Sequence, residues 1–491
     1  MSNDTGGHGG AEWAMMANGQ RMSLWRKIAL GAGDFGFNLY WQMAAIYLLF
    51  FYTDVVGLSP ATAGTIYMAA LIVDAALDPL MGLLVDRTRS RFGRYRPYLL
   101  FGGVALALAY TLMFMAPGGG RFAVAYVAAT HVLFRVVYAV ISIPYASLFA
   151  RVTRDAGVRT ELTAFRMVCA TLGAVAVAAL TLPSVKVLGK AHPAQHGWTV
   201  LALVFGAVAT ALLLLAAWAA KGYDRADAGP ASAAPPLWTS AGSLLKNRAL
   251  ILVLGGVMIN SFCGTLFGKN LVYYFKYVIG KTDLAGPATA FPALLAMVCV
   301  PPWAWVARRI GKRDTWLWGA IFSLLGLLAW RLGDGSIPLL FGSLALQAVG
   351  TSAYVVSYWA MLPDTVEFGE WRTGIRTESM VFGLATLGQK AALGLGAGFL
   401  GVALSRIGYV PNAVQPAGTL EGIRQMMFWF PYGGVVLSAL LASRYPVDLQ
   451  VHRRIVGELA ARGVAQRTST ASKASMCAAV TASSDGSTPQ T

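Results

Sequence analysis

The chain has 491 residues, of which 56% are hydrophobic and 12% are charged, and its formal net charge is +17. Soluble globular proteins carry about 25% charged residues, so this chain has too few charges to cover a water-exposed surface of its size. The composition excludes an ordinary soluble enzyme and, because Lys and Arg lie in short bursts between long apolar runs, a nucleic-acid binder; it is typical of a polytopic helical membrane protein.

Twelve apolar runs follow the polar N-terminal residues 1–25, and each is long enough to cross a bilayer as a helix of about 20 residues. Lys and Arg are concentrated in the N-terminus, in every second connection and in the C-terminal segment, which predicts that both termini are cytoplasmic. The runs extend over residues 28–52, 61–85, 97–116, 122–149, 162–185, 198–220, 249–279, 287–307, 315–332, 337–361, 379–405 and 424–444.

The first run contains Asp34, Asn38 and Trp41 in the segment GAGDFGFNLYWQ. Asp34 and Asn38 are four residues apart and therefore share a helix face. Hydrogen-bonding groups beside an aromatic ring suit a sugar, which needs partners for its hydroxyls and an apolar plate for its ring. We predict that Asn38 and Trp41 contact a sugar. The alternative for Asp34 is a position near the inner mouth of the transport path. The alternative for Trp41 is an aromatic side chain that faces the protein core or the lipid.

The second run places Asp74 and Asp78 one helical turn apart in LIVDAALDPLMG. A charge inside a membrane span is costly unless it is paired or hydrated, so it is a functional candidate by default. Two carboxylates this close cannot both ionise cheaply. The pair is therefore predicted to hold a proton or a small cation such as Na⁺. The alternative is a structural ion pair with Lys390 or Arg135.

The fourth run carries Arg135, Tyr138 and Ser142, and the fifth carries Arg166. Arg135 and Ser142 are seven residues apart and share a helix face. A guanidinium offers a rigid fork of donors to hydroxyls or to a carboxylate. We predict that all four residues contact the sugar; the alternative is that the two arginines only neutralise the acid pair of the second run.

The chain divides into two halves of six runs each, residues 26–220 and 249–445. The polar, Pro/Ala-rich residues 221–248 between them are predicted to be a cytoplasmic linker. Basic connections follow both the second and the eighth run, at corresponding places of the two halves, as in transporters built from repeats. Residues 446–491, rich in Ala, Ser and Thr, are predicted to be a disordered cytoplasmic tail.

The second half also carries ionisable groups inside its spans. Lys276 is expected to snorkel to the outer surface, and Lys269, which lies deeper, to face the cavity. Lys390 is expected to be an internal counter-ion that competes with the coupling cation, with snorkelling as the alternative.

The connection after the tenth run, DTVEFGEWRTGIR, contains Asp364, Glu367 and Arg376. Its acids can pair with Arg87 and other inner-loop cations of the first half, which would close the cytoplasmic side in one conformation. The alternative is a solvated loop, because an exposed ion pair contributes only about 0–1 kcal/mol.

Four segments carry a family resemblance: LLFFYTDVVGLSPATAGTIYMAALIVDAALDPLMGLLVDRTRSRFGRYRPYLLFG, SIPYASL, LPDTVEFGEWRTGIRTES and GYVPNAVQ. Together they resemble the glycoside–pentoside–hexuronide:cation symporters, the melibiose-carrier family within the major facilitator superfamily. GDFGFNLYWQ and TVEFGE are more similar to the glucuronide and xyloside branch. The resemblance implies an all-α membrane protein with twelve transmembrane helices in two six-helix halves.

The resemblance also implies roles for individual positions. They are the coupling-cation site at Asp74, Asp78 and Lys390, a sugar contact at Arg166, and a cytoplasmic gate at Asp364, Glu367 and Arg376.

Departures from the melibiose carriers affect the expected ligands. Asn38 and Ser142 stand where those carriers have sugar-binding aspartates, and Ala139 and Ala146 where they have a hydroxyl residue and a tryptophan. Na⁺ needs several oxygen ligands, whereas a proton needs one carboxylate. The lost oxygen ligands therefore favour H⁺ over Na⁺ as the coupling ion.

Arg135 and Lys269 replace the small residues expected in melibiose carriers, and they make the expected cavity more positive. This favours an acidic sugar, a glucuronide or another hexuronide, over a neutral xyloside or glucoside.

The sequence thus predicts a sugar:cation symporter that works by alternating access. It is expected to act as a monomer in the plasma (bacterial inner) membrane, and not as an enzyme. We expect no cofactor besides the coupling ion, no nucleic-acid partner, and no metal site other than Na⁺ at Asp74 and Asp78. The alternatives are a sodium-coupled carrier of a neutral xyloside or glucoside, a lipid or drug transporter on the same scaffold, and a membrane enzyme or sugar sensor.

Overall fold

The structure, a computed structural model, describes residues 22–88, 90–116, 121–152, 156–189, 194–223, 244, 246–333, 335–375, 378–459 and 461. Within these ranges the chain forms twelve long α-helices and no strand. They are α1 (Leu24–Phe50), α2 (Pro60–Arg87), α3 (Arg96–Met113), α4 (Arg121–Val152), α5 (Ala156–Leu188), α6 (Ala194–Ala219), α7 (Arg248–Tyr273), α8 (Ala285–Ile310), α9 (Lys312–Leu332), α10 (Ile337–Thr373), α11 (Glu378–Arg406) and α12 (Ala417–Ser443).

Eleven of the helices are long and apolar enough to cross a membrane, judged by length and composition. The exception is α1, because Asp34, Asn38 and Gln42 lower its mean hydropathy. Large apolar side chains are exposed all around the bundle, for example Phe101 at 67% and Val298 at 67%, as expected where lipid replaces water. The chain is an integral membrane protein with the predicted all-α fold.

The helices pack as two bundles with the same internal arrangement. In the first half α1 packs against α5 and α6, and α4 against α2 and α3; in the second half α7 packs against α11 and α12, and α10 against α8 and α9. The halves meet where α2 contacts α11, α5 contacts α8 and α1 contacts α7. Since α2 corresponds to α8 and α5 to α11, these contacts are related by exchanging the halves, which is the arrangement of a repeat-built transporter.

The first helix of each half ends in the same unusual way. α1 continues as a π-helical turn over Phe51–Val55, and α7 as one over Tyr274–Val278. Each turn is followed by a glycine with positive φ, Gly57 at 81° and Gly280 at 72°, a conformation that favours glycine. We call this end of the bundle, which also holds the α11–α12 connection, the outer end after the predicted topology, and the opposite end the inner end.

Residues 449–459, within the tail predicted to be disordered, form a helix. Val451, Ile455 and Leu459 recur every four residues and pack against the core of the second half, so one face of the segment is apolar. The prediction of disorder is wrong for this stretch, because the Ala/Ser-rich composition belongs to residues further along the chain. Residues 462–491 and most of the predicted linker lie outside the described residues.

Candidate functional site

A cavity of about 500 Å³ lies between the two halves. Most of its wall comes from the second half, and the wall combines aromatic rings with amides and hydroxyls. The residues that line it include Trp41, Gln42, Tyr67, Asn260, Thr265, Lys269, Trp316, Gln347, Thr351, Tyr354 and Ser438. Cavities of this size and mixed character bind small molecules.

Apart from Lys269, which was expected to face the cavity, the polar groups that the second half contributes to the wall were not predicted from the sequence. Ser438 accepts hydrogen bonds from Asn260 Nδ2 and from Trp316 Nε1, the latter at 3.1 Å. The amide Nε2 of Gln347 is buried and has no hydrogen-bond partner among the described residues, so it is an unused donor in the cavity wall. An amide inside an apolar run was the available signal at Asn260 and Gln347.

Asp74 and Asp78 face one ammonium across the interface between the halves. Lys390 Nζ on α11 lies 3.1 Å from Asp74 Oδ2 and 2.5 Å from Asp78 Oδ2 on α2. Asp74 is fully buried, and its Oδ1 has no hydrogen-bond partner in the part of the chain that the structure describes. The two carboxylates exceed the single ammonium by one negative charge, so the site can accept one proton or one small cation.

Arg166 binds a different acid from the one the sequence suggested. Its guanidinium forms two hydrogen bonds to Asp34, at 2.7 and 3.1 Å, and lies 4.1 Å from the centre of the Phe149 ring. Tyr145 donates a further bond to Asp34 at 2.8 Å. Arg166 therefore neutralises Asp34 on α1 and not the acid pair of α2, and it lies outside the cavity lining described above.

The aromatic and basic residues that were predicted to contact the sugar lie at different distances from the cavity. Trp41 lines the cavity, and Tyr138 packs against it with ring centres 5.9 Å apart. Arg135 is only 1% exposed and lies behind the wall, 5.2 Å from the Trp41 ring and 5.8 Å from the Tyr67 ring. In this conformation Trp41 and Tyr67 therefore stand between Arg135 and the cavity.

Asn38 and Ser142 are not part of the cavity wall. Asn38 Nδ2 donates to the backbone oxygen of Asp34 at 2.9 Å, and its Oδ1 accepts from Gln42 at 3.4 Å. Ser142 lies in the inner half of α4. Both roles in sugar binding remain predictions.

The outer end is closed by a cluster around Asp54, which the sequence reasoning missed. Its buried carboxylate accepts hydrogen bonds from Lys276 at 2.6 Å, from Tyr409 at 2.7 Å and from Thr53 at 2.7 Å, and also from Tyr277. Asp54 and Thr53 belong to the first half, and the other three to the second. Lys276, whose side chain is 21% exposed, thus forms an ion pair with the buried Asp54 instead of snorkelling.

Asn412, in the α11–α12 connection, completes this cluster. Its Nδ2 donates to the Asp54 backbone oxygen at 2.6 Å, and its Oδ1 accepts from Lys276 at 2.7 Å. It holds these bonds with a positive φ of 57°, a strained conformation that tends to occur where function requires it. We call Asp54, Lys276, Tyr277, Tyr409 and Asn412 the outer seal.

At the inner end, Asp364 and Glu367 bond within their own half. Lys312 Nζ lies 2.6 and 2.7 Å from the two oxygens of Asp364, and His452 Nε2 lies 2.8 Å from Glu367 and 3.3 Å from Asp364. Arg376 and the side chain of Arg87 lie outside the described residues, so their predicted gate contacts stay predictions. The two acids and His452 are close enough to hold a metal ion, but Lys312 already occupies both oxygens of Asp364.

Tyr445 lies beside these acids, after the end of α12. Burial and the nearby charges of Asp364 and Glu367 raise the pKa of its phenol well above the usual value. The phenol therefore stays protonated beside the two acids.

Comparison with known proteins identifies a matching family model and similar relatives. The family model described as MFS/sugar transport protein matches residues 29–449. The isoprimeverose transporter of Lactiplantibacillus pentosus is 32% identical, over 86% of this chain and 88% of the relative. The glucuronide carrier protein homolog of Escherichia coli is 30% identical, over 89% of this chain and 95% of the relative.

Solved structures share the fold. A bacterial homolog of the human lysosomal transporter Spinster, in an inward-facing and unoccupied conformation, superposes with a TM-score of 0.65. It covers 89% of this chain and 99% of its own, at 15% identity. At that identity the likeness concerns the fold alone.

Proposed function

We propose that this chain, which belongs to the MFS/sugar transport protein family, is a sugar:cation symporter driven by protons. Its relatives include proteins named as an isoprimeverose transporter and a glucuronide carrier protein homolog. This chain imports a sugar across the plasma (bacterial inner) membrane, with both termini in the cytoplasm, and one chain suffices because the cavity and the acid pair are formed within it. The observation that carries the proposal is the single ammonium of Lys390 shared between Asp74 and Asp78 at the interface of the halves.

Protonation of one carboxylate would change the contacts between the halves. With both acids ionised, Lys390 joins α11 to two charges on α2; with one acid neutral, one of these attractions is lost. Since α2–α11 is a principal contact between the halves, proton binding can bias their relative position. Coupling then requires that proton and sugar favour the same conformation.

A proton fits this site better than Na⁺. Lys390 Nζ already occupies the position between the carboxylates that a metal ion would take, whereas a proton needs only one carboxylate oxygen, such as the unpartnered Oδ1 of Asp74.

The sugar fits between Trp41, as a plate for the ring, and the amides and hydroxyls of the second half. We propose an acidic sugar, a glucuronide or another hexuronide, because Lys269 lines the cavity and Arg135 lies behind its wall. This agrees with the relative named as a glucuronide carrier homolog. A neutral xyloside or glucoside is the second candidate, favoured by the relative named as an isoprimeverose transporter.

Uptake into proteoliposomes tests the coupling. An inward proton gradient without Na⁺ should accumulate labelled sugar, and an Na⁺ gradient at equal pH should not. Accumulation driven by Na⁺ alone would contradict proton coupling while leaving sugar transport in place. A panel of labelled β-glucuronide, β-xyloside and β-glucoside in the same assay identifies the class of sugar.

A further inference from the structure

Lys269 belongs to the second half but makes its contacts with the first. It lies on α7, yet its Nζ donates to the backbone oxygen of Ala45 on α1 and lies 3.9 Å from the centre of the Tyr67 ring on α2. Its side chain is 3% exposed and lines the cavity. The ammonium is therefore held at the meeting point of the two halves, at the depth of the cavity.

Among the residues that the structure describes, neither Lys269 nor Arg135 has an acidic partner. In the described part of the chain, the carboxylates within the first half's spans are taken by other cations: Asp34 by Arg166, Asp54 by Lys276, and Asp74 and Asp78 by Lys390. No ion pair of the described residues includes Lys269 or Arg135. Two positive charges at membrane depth without a directly paired acid are costly, and the one negative charge by which Asp74 and Asp78 exceed Lys390 can offset only one of them. An anionic ligand would offset the other.

Arg135 keeps one donor unused although it is almost fully buried. Its Nε donates to His131 Nε2 at 3.3 Å, while its Nη1 has no hydrogen-bond partner within the described ranges. Because His131 accepts at Nε2, its imidazole is neutral with the proton on Nδ1, so it orients Arg135 without neutralising it. Arg135 contacts the Tyr67 ring from one side, and Lys269 contacts the same ring.

We propose that Lys269 binds the anionic group of the transported sugar, a carboxylate or a sulfonate, and that Arg135, held by His131 behind Tyr67, is a positioning residue that adds positive charge to this subsite. The inference rests on the proposed function and locates the substrate charge within the same cavity. The sugar ring then lies against Trp41, and its hydroxyls face Asn260 and Gln347.

The subsite also links substrate charge to the conformational cycle. In this conformation Lys269 Nζ donates one hydrogen bond to the backbone oxygen of Ala45 in the opposite half. An anion that takes up the ammonium competes with this bond, so an acidic substrate loosens a contact between the halves that a neutral one leaves intact.

Binding of two matched probes tests the inference: 4-nitrophenyl β-glucuronide and 4-nitrophenyl β-glucoside, which differ only in the carboxylate at C6. Wild-type protein in nanodiscs should bind the glucuronide more tightly. In Lys269→Gln the affinity for the glucuronide should fall about tenfold or more, the effect of losing one charge-assisted hydrogen bond, while the affinity for the glucoside changes less than about twofold. Lys281→Gln, an equal change of charge in the exposed connection after α7, should leave both affinities unchanged.

Two variants of Arg135 test its role as a positioning residue. Arg135→Lys, which keeps the charge, should retain the preference for the glucuronide, and Arg135→Gln should lose most of it. If Lys269→Gln does not fold, the affinities of the wild type, Arg135→Lys and Arg135→Gln for the two probes test the subsite instead. Equal wild-type affinity for the two probes, or a Lys269→Gln variant that loses both equally, overturns the subsite.

Measuring uptake of the two probes distinguishes failure of the anion subsite from failure of the proposed proton-coupled transport. Proton-driven uptake of the glucoside by wild type and by Lys269→Gln, with no preference for the glucuronide in either, would overturn the subsite and leave proton-coupled sugar transport standing. Absence of proton-driven uptake of both probes by wild-type protein that binds them would instead overturn the proposed coupling.

Discussion

The single ammonium of Lys390 contacts two carboxylates, so the Asp74/Asp78 site has one more negative than positive charge. This excess allows the site to bind a further positive charge. A balanced ion pair inside a membrane serves structure and has no room for a second cation. With two acids and one base, a further positive charge lowers the electrostatic cost of the site. Asp34 with Arg166 is the contrasting case, because there one acid meets one base in a bidentate pair.

Asp74→Asn and Asp78→Asn should each abolish accumulation of sugar driven by a proton gradient, since an amide neither binds nor releases the coupling proton. Exchange of labelled for unlabelled sugar should persist in at least one of them, because exchange does not require net proton movement. Uptake and counterflow in proteoliposomes provide the measurement. Asp314→Asn, in the exposed first turn of α9, is the control; full accumulation in both acid variants would contradict the assignment.

Arg166→Ala should lower stability, because it leaves the largely buried Asp34 carboxylate without its two strongest donors. The expected loss is about 1–3 kcal/mol. The double variant Asp34→Asn/Arg166→Ala should regain part of it, since the unpaired charge is gone. Thermal unfolding of the three proteins in detergent measures the effect. A double variant less stable than Arg166→Ala would show that Asp34 has another role.

The outer seal is formed by repeat-equivalent elements. FYTDV at the end of α1 and YFKYV at the end of α7 are both π-helical and both lead into a glycine with positive φ. Thr53 and Asp54 of the first turn bond to Tyr273, Lys276 and Tyr277 at the end of α7. Two halves that rock about their common axis must break this contact to open outward.

Asp54→Asn should open the outer end more often, because it removes the charge that Lys276 and two phenols share. A cysteine introduced as Thr265→Cys in a cysteine-free protein reports on this, since Thr265 lines the cavity. A membrane-impermeant maleimide added outside should modify it several-fold faster in Asp54→Asn. Asp283→Asn, which removes an exposed ion pair at the same end, should not change the rate, and equal rates in all three proteins would exclude a gating role for Asp54.

The crossing of α2 and α11 depends on glycine. Gly64 and Gly401 face each other there, and a Cβ on Gly401 would overlap the Pro60 carbonyl oxygen. Such close approach is the usual role of small residues between membrane helices.

Gly401→Val should therefore force α2 and α11 apart at the outer end, lowering thermal stability and slowing transport. Gly342→Val on α10, where a Cβ meets no atom within 4 Å, is the matched control. Unfolding temperature and uptake rate measure the two effects. A Gly401→Val protein as stable and as active as the control would mean that the crossing is not tightly packed during transport.

At the scale of the whole molecule, the second half is extended by the helix of residues 449–459. It places Ile455 in the core and His452 against the inner acids, and Glu458 accepts a bond from Trp371 at 2.7 Å. The inner end of α10 is thus supported by a segment that follows the last transmembrane helix.

Deletion of residues 449–491 should lower thermal stability and transport, because it exposes the apolar partners of Ile455 and removes His452 from Glu367. Deletion of residues 462–491 alone should leave both near wild type, since these contacts are retained. Unfolding temperature and uptake rate of the two truncated proteins are compared with the full chain. Equal stability of both truncations would show that the helix contributes nothing.

Much of the architecture could be predicted from the sequence. The number of long helices, the two halves and the family follow from run length, from the position of the polar linker and from long motifs, all of which are local along the chain. The residues alone left Lys390 and Arg135 as alternative partners of Asp74 and Asp78, whereas the family resemblance placed Lys390 at this site, where the structure has it. Lys276 was misread, since its partner Asp54 lies in the other half and nothing local connects the two.

The sequence by itself determined twelve membrane spans and an acid pair in the second of them, because bilayer thickness and the cost of buried charge act on each segment separately. The sugar:cation symporter family followed from the resemblance of its long motifs. Only the tertiary structure decided which charges meet: Arg166 with Asp34, Asp54 with Lys276, and Lys269 with no acid among the described residues. Those pairings depend on how each helix is rotated and which helices touch, and rotation is set by packing between segments hundreds of residues apart. The same packing places Arg135 behind Trp41. It also makes the second half the source of most of the cavity wall.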